Sequence, residues 1–231
     1  MKILLTAATQ REIAPAIDFF ERSSAGMGEE KVSWLITGIG LLSTTYSLMR
    51  QIRDRRPGCI IQAGIAGTFR KGLMGQLMAI GEDTPADIGV YEDNQYKSLF
   101  DLQLADANGY PFTNGFLVNP SKHLLTLSRL EIVRGITVNE ITTDKRRMEE
   151  YNQKLLPVVE SMEGAACHFV CLCEKIPFLQ IRSISNQVGE RDKSKWNIRE
   201  AVGNLNDKLI SLVPELIQNY QTHVDETISR I

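Results

Sequence analysis

The feature that most limits the fold of this chain is a repeated order of apolar run, turn and helix-like segment. Residues 3–8, 32–37 and 59–63 are short apolar runs typical of buried strands. Segments 12–22 and 41–53 follow the first two runs and carry apolar residues at helical spacing. This order predicts βαβ units, in which consecutive strands lie parallel in one sheet.

The second half of the chain continues the pattern less regularly. Residues 83–120 are rich in Asp, Asn, Gly and Pro and predict loops with short strands. The remaining predicted elements are helices over 122–129, 144–154, 164–175 and 198–227 and strands over 132–138 and 178–185. We expect Gly203 and Pro214 to bend or split the last helix. Since no repeat or linker divides the chain, we expect one α/β domain over residues 1–231.

Composition excludes several classes of protein. Hydrophobic residues make up 43% and charged residues 23% of the chain, which indicates a globular protein rather than a disordered one. With 26 basic and 28 acidic residues the net charge is 26 − 28 = −2, so we expect no nucleic-acid partner and no membrane partner. The apolar start of the chain is too short for a signal peptide, and four cysteines suit a reducing compartment, which predicts a cytoplasmic location.

Ligands of a parallel sheet bind at the carboxyl ends of its strands. The segments at those ends are 6–12, 37–40, 63–68 and 183–191, and the turn before the helix at Gly164 is a fifth. Gly38 and Gly40 lack the third glycine of a dinucleotide-binding fingerprint, and the turn predicted over 64–68 lacks the Lys of a phosphate loop. Neither motif therefore identifies a nucleotide cofactor.

Charged and polar side chains accumulate at these strand ends. Taken singly, Glu12 and Glu163 are acids near helix starts, where the helix dipole favours a negative charge. Arg182 to Asn186 close a buried strand with four polar residues, which indicates a function there. Two carboxylates, an Arg and an Asn at one sheet edge suit cleavage of a purine N-glycosidic bond. One acid can activate water at the anomeric carbon and the other can bind ribose, while a polar side chain stabilises the leaving purine.

Five runs of residues together resemble the nucleoside phosphorylase/nucleosidase superfamily. They are Thr6 to Glu12, Thr37 to Gly40, Ala63 to Gly67, Glu160 to Ala166 and Arg182 to Asn186. Within it, the Ser-Met-Glu-Gly-Ala-Ala run and the Ser-Asn pair followed by Val188 to Asp192 are most similar to the futalosine hydrolase family. The resemblance implies a three-layer fold in which helices flank a mostly parallel, mixed central sheet.

The resemblance also implies a role for each matching residue. Glu12 corresponds to the carboxylate that activates water, and Arg182 to the arginine near that water. Glu163 would bind the ribose hydroxyls, Met162 would lie against the ribose, and Asn186 would meet the purine. Substrate contacts are implied for Ala8, Gly64, Ala66, Gly67, Met162 and Ser185, the last of which supports Asn186.

Three positions depart from the methylthioadenosine/adenosylhomocysteine nucleosidases, the nearest relatives. Those enzymes carry a Glu where Ser161 stands, a Ser where Ile65 stands and an Asp where Asn186 stands. An amide does not titrate but offers NH₂ and C=O together, so it can donate to O6 and accept from N7–H of a 6-oxopurine. Asn186 therefore favours hypoxanthine over adenine, and futalosine carries hypoxanthine.

Alternatives to futalosine hydrolysis remain open from the sequence. They are a methylthioadenosine/adenosylhomocysteine nucleosidase, a purine nucleoside phosphorylase, and a purine-nucleoside-binding module without catalysis. Glu12 at the nucleophile position would repel a phosphate dianion, which favours water, although Arg11 and Arg182 could hold phosphate. We expect a homodimer acting on a small purine nucleoside.

Cysteine and histidine spacing gives little sign of a metal site. Cys167 and Cys171 share a helix face, but Cys173 points elsewhere, and a Cys-x-Cys spacing on one helix is poor for metal binding. We interpret these cysteines as small apolar core residues. The sequence implies no metal and no organic cofactor.

Overall fold

Strands and helices alternate along the chain in the computed structural model, which describes residues 2–27, 31–93 and 95–228. The strands are β1 (Ile3–Ala7), β2 (Val32–Ile36), β3 (Cys59–Thr68), β4 (Leu77–Asp83), β5 (Gly89–Glu92), β6 (Gln95–Ser98), β7 (Leu117–Val118), β8 (Glu131–Thr137), β9 (Val159–Ser161) and β10 (Phe178–Gln187). The α-helices are α1 (Gln10–Met27), α2 (Leu41–Asp54), α3 (Lys122–Ser128), α4 (Lys145–Lys154), α5 (Gly164–Cys173) and α6 (Ile198–Ile228).

Eight strands form one mixed sheet that is mostly parallel. Its order is β10-β4-β8-β9-β3-β1-β2, and β7 pairs with β4. Strand β10 also pairs with β3, so β10, β4, β8, β9 and β3 close a ring from which β1 and β2 extend. Pairs β1–β2, β1–β3, β3–β10, β4–β8 and β8–β9 are parallel, which confirms the predicted α/β fold. The ring itself was not predicted.

Helices cover both faces of the sheet because side chains alternate along each strand. On β1, Ile3 and Leu5 point into a core shared with α1 and α6, whereas Leu4 points into a core shared with α2 and α5. These cores leave the carboxyl ends of β1, β3 and β10 close together at one edge. The predicted three-layer arrangement is confirmed.

One local prediction is wrong, and one of the two alternatives for the last helix, that it is split, is excluded. The turn predicted over 64–68 is the second half of β3, which pairs with β10 along most of its length and with β9 at its end. Long-range pairing there outweighs the local preference of glycine for turns. Helix α6 is continuous through Gly203 and Pro214 and is not split. Its buried leucines pack on α1 and the sheet, which offsets the cost of the proline.

Three of the four cysteines are core residues. Cys59, Cys167 and Cys171 are buried, whereas Cys173 is exposed, so the prediction of a core position is wrong for Cys173. All four are free thiols. None of the described helices is long and apolar enough to cross a membrane. The extent of a single domain over residues 1–231 stays a prediction.

Candidate active site

A cavity of about 410 Å³ opens at the carboxyl ends of β1, β3 and β10. Eight of the residues predicted for the site line it: Ala8, Glu12, Ala66, Gly67, Met162, Glu163, Ser185 and Asn186. The other two, Gly64 and Arg182, lie beneath the lining, where Arg182 is only 1% exposed. The structure thus brings all ten predicted residues to one edge, and separates those that face the cavity from those that support it.

The Glu12 carboxylate is fixed by the start of helix α1. Its Oε2 accepts hydrogen bonds of 2.9 Å from both the backbone N–H and the hydroxyl of Thr9, and the Glu12 N–H donates back to the Thr9 carbonyl. The bond from the Thr9 N–H to the Glu12 carboxylate is one half of the capping box that a Thr-x-x-Glu sequence can form; in place of the other half, the Thr9 hydroxyl donates to the same carboxylate. Oε1 accepts from the N–H of Ile65 at 3.0 Å. Glu12 is therefore a buried and oriented acid rather than a solvated one.

Gly64 allows strand β3 to approach this carboxylate closely. A Cβ at Gly64 would overlap the Nη1 atom of Arg182 and lie 3.0 Å from Oε1 of Glu12. Only a residue without a side chain leaves room for both groups. The guanidinium of Arg182 and the carboxylate of Glu12 therefore pack directly against the backbone of β3 at Gly64.

Glu163 stands at the N-terminus of helix α5 and is held from two sides. Its Oε1 accepts from the N–H of Gly40 at 3.2 Å, and its Oε2 lies 3.5 Å from Nη1 of Arg182. Burial raises the pKa of Glu163, while Arg182 and the Gly40 N–H oppose that rise. The resemblance placed Arg182 near Glu12; its guanidinium does lie beside Glu12 above Gly64, but its ion pair is with Glu163.

A buried polar network supports Arg182 from below. The orientation of the Gln180 amide follows from its neighbours: Nε2 donates to Nε2 of His168 at 2.8 Å and to Oδ2 of Asp83 at 3.2 Å, and Oε1 accepts from Nε of Arg182 at 3.1 Å. Nδ1 of His168 lies 2.9 Å from the Leu117 carbonyl oxygen, to which it donates. Burial lowers the pKa of His168 to about 4 and raises that of Asp83 to about 7. Neutral His168 can therefore accept from Gln180.

The opposite wall of the cavity carries Asn186. The hydroxyl of Ser185 lies 2.8 Å from Oδ1 of Asn186 and 3.2 Å from the carbonyl oxygen of Ala66, and Nδ2 of Asn186 donates to the Gln187 carbonyl at 2.9 Å. The supporting role implied for Ser185 agrees with this contact. One N–H of Nδ2 and one lone pair of Oδ1 remain for a ligand. Asn186 is half-buried, so these groups are accessible from the cavity.

Sequence reasoning missed three residues that hold the acids. Thr9 could have been found from the capping-box pattern Thr-x-x-Glu. Gly40 lies in a segment singled out for its strand end, but its contact with Glu163 joins positions 123 residues apart. Asn206 donates to the carbonyl oxygen of Glu12 from helix α6, and no local pattern predicts that contact.

A sheet partly closed into a ring, with two buried acids beside a cavity at its edge, is the architecture of an α/β enzyme. A family model described as the phosphorylase superfamily matches residues 3–218, and the chain belongs to this superfamily.

Several known proteins are similar to the chain over most of its length. Futalosine hydrolase of Streptomyces coelicolor is 26% identical over 208 residues, which cover 89% of this chain and 83% of that protein. A structure of a futalosine hydrolase mutant of Helicobacter pylori matches with a TM-score of 0.71 at 19% identity, covering 91% and 99% of the two chains. The methylthioadenosine/adenosylhomocysteine nucleosidase of Helicobacter pylori matches with a TM-score of 0.76 at 20% identity, covering 93% and 98%.

Proposed function

We propose that this chain hydrolyses the N-ribosidic bond of futalosine, releasing hypoxanthine and dehypoxanthine futalosine for menaquinone biosynthesis. The observation that carries the proposal is the meeting of Glu12, Glu163 and Asn186 around one cavity at the sheet edge. The futalosine hydrolases among its relatives support the choice of substrate. We treat residues 1–231 as one nucleosidase domain.

Glu12 is the general base in this proposal. Its carboxylate faces the cavity and is oriented by three hydrogen bonds, so it can accept a proton from a water placed at the anomeric carbon. Such general-base help contributes on the order of 10²–10⁴-fold to the rate. Glu163 accepts from the ribose hydroxyls, and its negative charge favours the positive charge that develops on the sugar. Arg182 keeps Glu163 in place from beneath the cavity.

Asn186 recognises the leaving base. With Oδ1 already near the Ser185 hydroxyl, the free N–H of Nδ2 can donate to O6. As the N-ribosidic bond breaks, N7 of hypoxanthine takes a proton from solvent water, and Oδ1 accepts from the resulting N7–H. Adenine presents an NH₂ group where hypoxanthine presents O6, so the same orientation would face two donors toward each other. A mispaired buried polar edge costs about 1–3 kcal/mol. The amide therefore favours a 6-oxopurine.

Charges around the cavity favour water over phosphate as the nucleophile. Four of the residues that line the cavity are acids, namely Glu12, Glu160, Glu163 and Glu190. Among the lining residues that the structure describes, Arg11 is the one cation. A phosphate dianion brought beside Glu12 would meet repulsion from this set. Burial raises the pKa of Glu160, as it does that of Glu163, and this limits but does not remove the repulsion.

We place the expected homodimer on the exposed face of helix α2. Leu42, Tyr46 and Met49 follow helical spacing and are 87%, 70% and 41% exposed. Ile39, which lines the cavity, continues this apolar stripe to the site. An exposed apolar stripe of this kind marks an interaction surface, and a second copy of the chain can cover it across a twofold axis. The four free thiols support a cytoplasmic enzyme.

A substrate panel tests the proposal directly. Futalosine, inosine, methylthioadenosine and adenosylhomocysteine are incubated with the protein, with and without phosphate, and the free base is measured by chromatography. We expect hypoxanthine from futalosine at a rate that phosphate does not change. Faster release of adenine from methylthioadenosine would favour a methylthioadenosine/adenosylhomocysteine nucleosidase. Two proteins of that name are 23% and 24% identical to this chain. A requirement for phosphate, with sugar 1-phosphate as product, would establish a phosphorylase.

A further inference from the structure

A proline lies inside helix α1, three residues after Glu12. Pro15 has no backbone N–H, and a proline ring crowds the carbonyl group four residues earlier, so helices bend or open at such positions. In an unbroken helix the N–H of Ala16 donates to the carbonyl oxygen of Glu12. The turn of the helix that the proline weakens therefore contains Glu12, whose carboxylate faces the cavity.

The side-chain amide of Asn206 bridges these two backbone groups from helix α6. Its Oδ1 accepts from the Ala16 N–H at 2.9 Å, and its Nδ2 donates to the Glu12 carbonyl oxygen at 2.8 Å. Nδ2 also donates to the carbonyl of Val202, one turn earlier in α6, at 2.7 Å. Three hydrogen bonds thus fix an amide that is only 2% exposed.

Packing alone does not explain an asparagine at this position. Its neighbours on the same face of α6, Leu209 and Val213, are apolar and fully buried. A buried amide is costly unless it is hydrogen-bonded, and here two of the three bonds go to the backbone of α1 around Glu12. The asparagine therefore specifies where the first turns of α1 lie against α6.

We propose that Asn206 is a positioning residue for the hydrolysis. By holding the Glu12 carbonyl, it keeps the carboxylate between the donors of Thr9 and the N–H of Ile65. This inference rests on the proposed role of Glu12 as the general base. Helix α6 also lines the cavity through Ile198 and Val202, so the helix that forms one wall of the site sets the position of the base as well.

The first test compares Asn206→Leu with Asn204→Leu. Asn204 lies on the same helix, but its amide donates to the Gly75 carbonyl at 2.8 Å instead of to α1. We expect Asn206→Leu to lower kcat about tenfold to a hundredfold with KM changed less than about threefold, because a displaced catalytic group loses rate rather than substrate affinity. Asn204→Leu is expected to keep kcat within about twofold of the wild type. Equal kcat losses in the two variants would overturn the proposal.

The second test removes the need for the bridge. Pro15→Ala supplies an N–H that can donate to the Arg11 carbonyl and removes the ring that crowds it, so that the first turns of α1 can hold Glu12 without the Asn206 amide. In this background we expect the kcat loss caused by Asn206→Leu to be at least about fivefold smaller than in the native background. A merely structural role in α1–α6 packing would give the same loss in both backgrounds, and that result would contradict the proposal.

Two further arms keep the outcome unambiguous. If Asn206→Leu does not fold, Asn206→Ala is measured instead, and a kcat within about twofold of the wild type would then refute the role of Asn206. Glu12→Gln is measured in parallel. A large loss in Glu12→Gln without a loss in the Asn206 variants rejects this inference alone, whereas an active Glu12→Gln rejects the proposed base itself.

Discussion

The two sides of the cavity are built differently. On the sugar side, Glu12 and Glu163 are almost fully buried, accept hydrogen bonds from backbone N–H groups and rest on Arg182 and the network beneath it. On the base side, Asn186 is half-buried and is held by the neighbouring Ser185 hydroxyl and by the carbonyl of the next residue. On the sugar side, Glu163 is held by Gly40 and Arg182 and Glu12 in part by Ile65, all distant in the chain, whereas the Asn186 amide is held by its two neighbours in sequence.

This difference separates chemistry from recognition. Charge that acts in the transition state must be held in place before the reaction, and backbone donors and a buried guanidinium supply that rigidity. Recognition of a base needs only the right donors and acceptors at an accessible edge. We therefore expect changes on the sugar side to lower turnover of every nucleoside, and changes on the base side to alter the preference between bases.

The largest effect is expected from Glu12→Gln. The substitution removes the base but keeps the shape of the side chain, so kcat should fall about 10²–10⁴-fold for futalosine and inosine alike while substrate still binds. Steady-state rates and equilibrium binding of futalosine measure the two properties. Glu131→Gln, at an exposed carboxylate on β8, is the matched control. Turnover close to the wild type in Glu12→Gln would remove Glu12 from the mechanism.

A second large effect is expected from Gly64→Ala. The added methyl group overlaps Arg182 and crowds Glu12, so both must shift, and kcat/KM should fall about a hundredfold for all substrates. Gly203→Ala is the control, because a Cβ there meets no atom within 4 Å and the residue lies within α6. If Gly64→Ala kept its activity, the close approach of β3 would not be needed for catalysis.

The sequence predicts which residues meet but not how they are held. Strand order and the rule for parallel sheets are enough to bring Glu12, Glu163 and Asn186 to one edge, and all three line the cavity. Their supporting contacts join residues far apart in the chain, such as Gly40 with Glu163 and Asn206 with Glu12. Local spacing carries no information about such pairs.

Part of the fold escaped prediction for the same reason. Gly64 and Gly67 read locally as a turn, yet pairing with β10 and β9 extends strand β3 through them. The ring formed by β3, β9, β8, β4 and β10 depends on the antiparallel pairs β3–β9 and β4–β10 and on the parallel pair β3–β10, which periodicity cannot show. Helices α2 and α6, whose apolar spacing is regular over many residues, lie within one residue of their predicted bounds, whereas α1 spans Gln10–Met27 and not 12–22.

A change confined to the base side should alter preference rather than rate. Asn186→Asp replaces the donor to O6 by an acceptor, so the ratio of inosine to adenosine turnover should fall about tenfold. The ratio of kcat/KM values for the two nucleosides measures this shift, and Asn152→Asp, an exposed position on α4, is the control. An unchanged ratio would refute the contact between Asn186 and the base edge.

The smallest effect is expected on stability, and it tests the network beneath the sugar side. Burial raises the pKa of Asp83 from 3.8 to about 7, although Thr137, Arg182 and Gln180 oppose the rise. Because the folded-state pKa lies above the unfolded one, this group's stabilising contribution is present below about pH 4 and is lost as the pH rises to about 7. Taken alone, Asp83 should lower the free energy of unfolding by about 1–3 kcal/mol between pH 5 and pH 8. The lowered pKa of His168 acts in the opposite direction, because its contribution grows as the pH rises from about 4 to 6.5.

Asp83→Asn should remove the part of the pH dependence that Asp83 contributes, since an amide does not titrate. The slope should not vanish, because the pKa values of Glu160 and Glu163 are raised in the same direction. Urea denaturation at pH 5 and pH 8 measures the difference, with the exposed Asp18→Asn as control. If the free energy of unfolding changed equally between pH 5 and pH 8 in Asp83→Asn and in the wild type, Asp83 would already be charged at pH 5. Arg182 would then neutralise both Asp83 and Glu163.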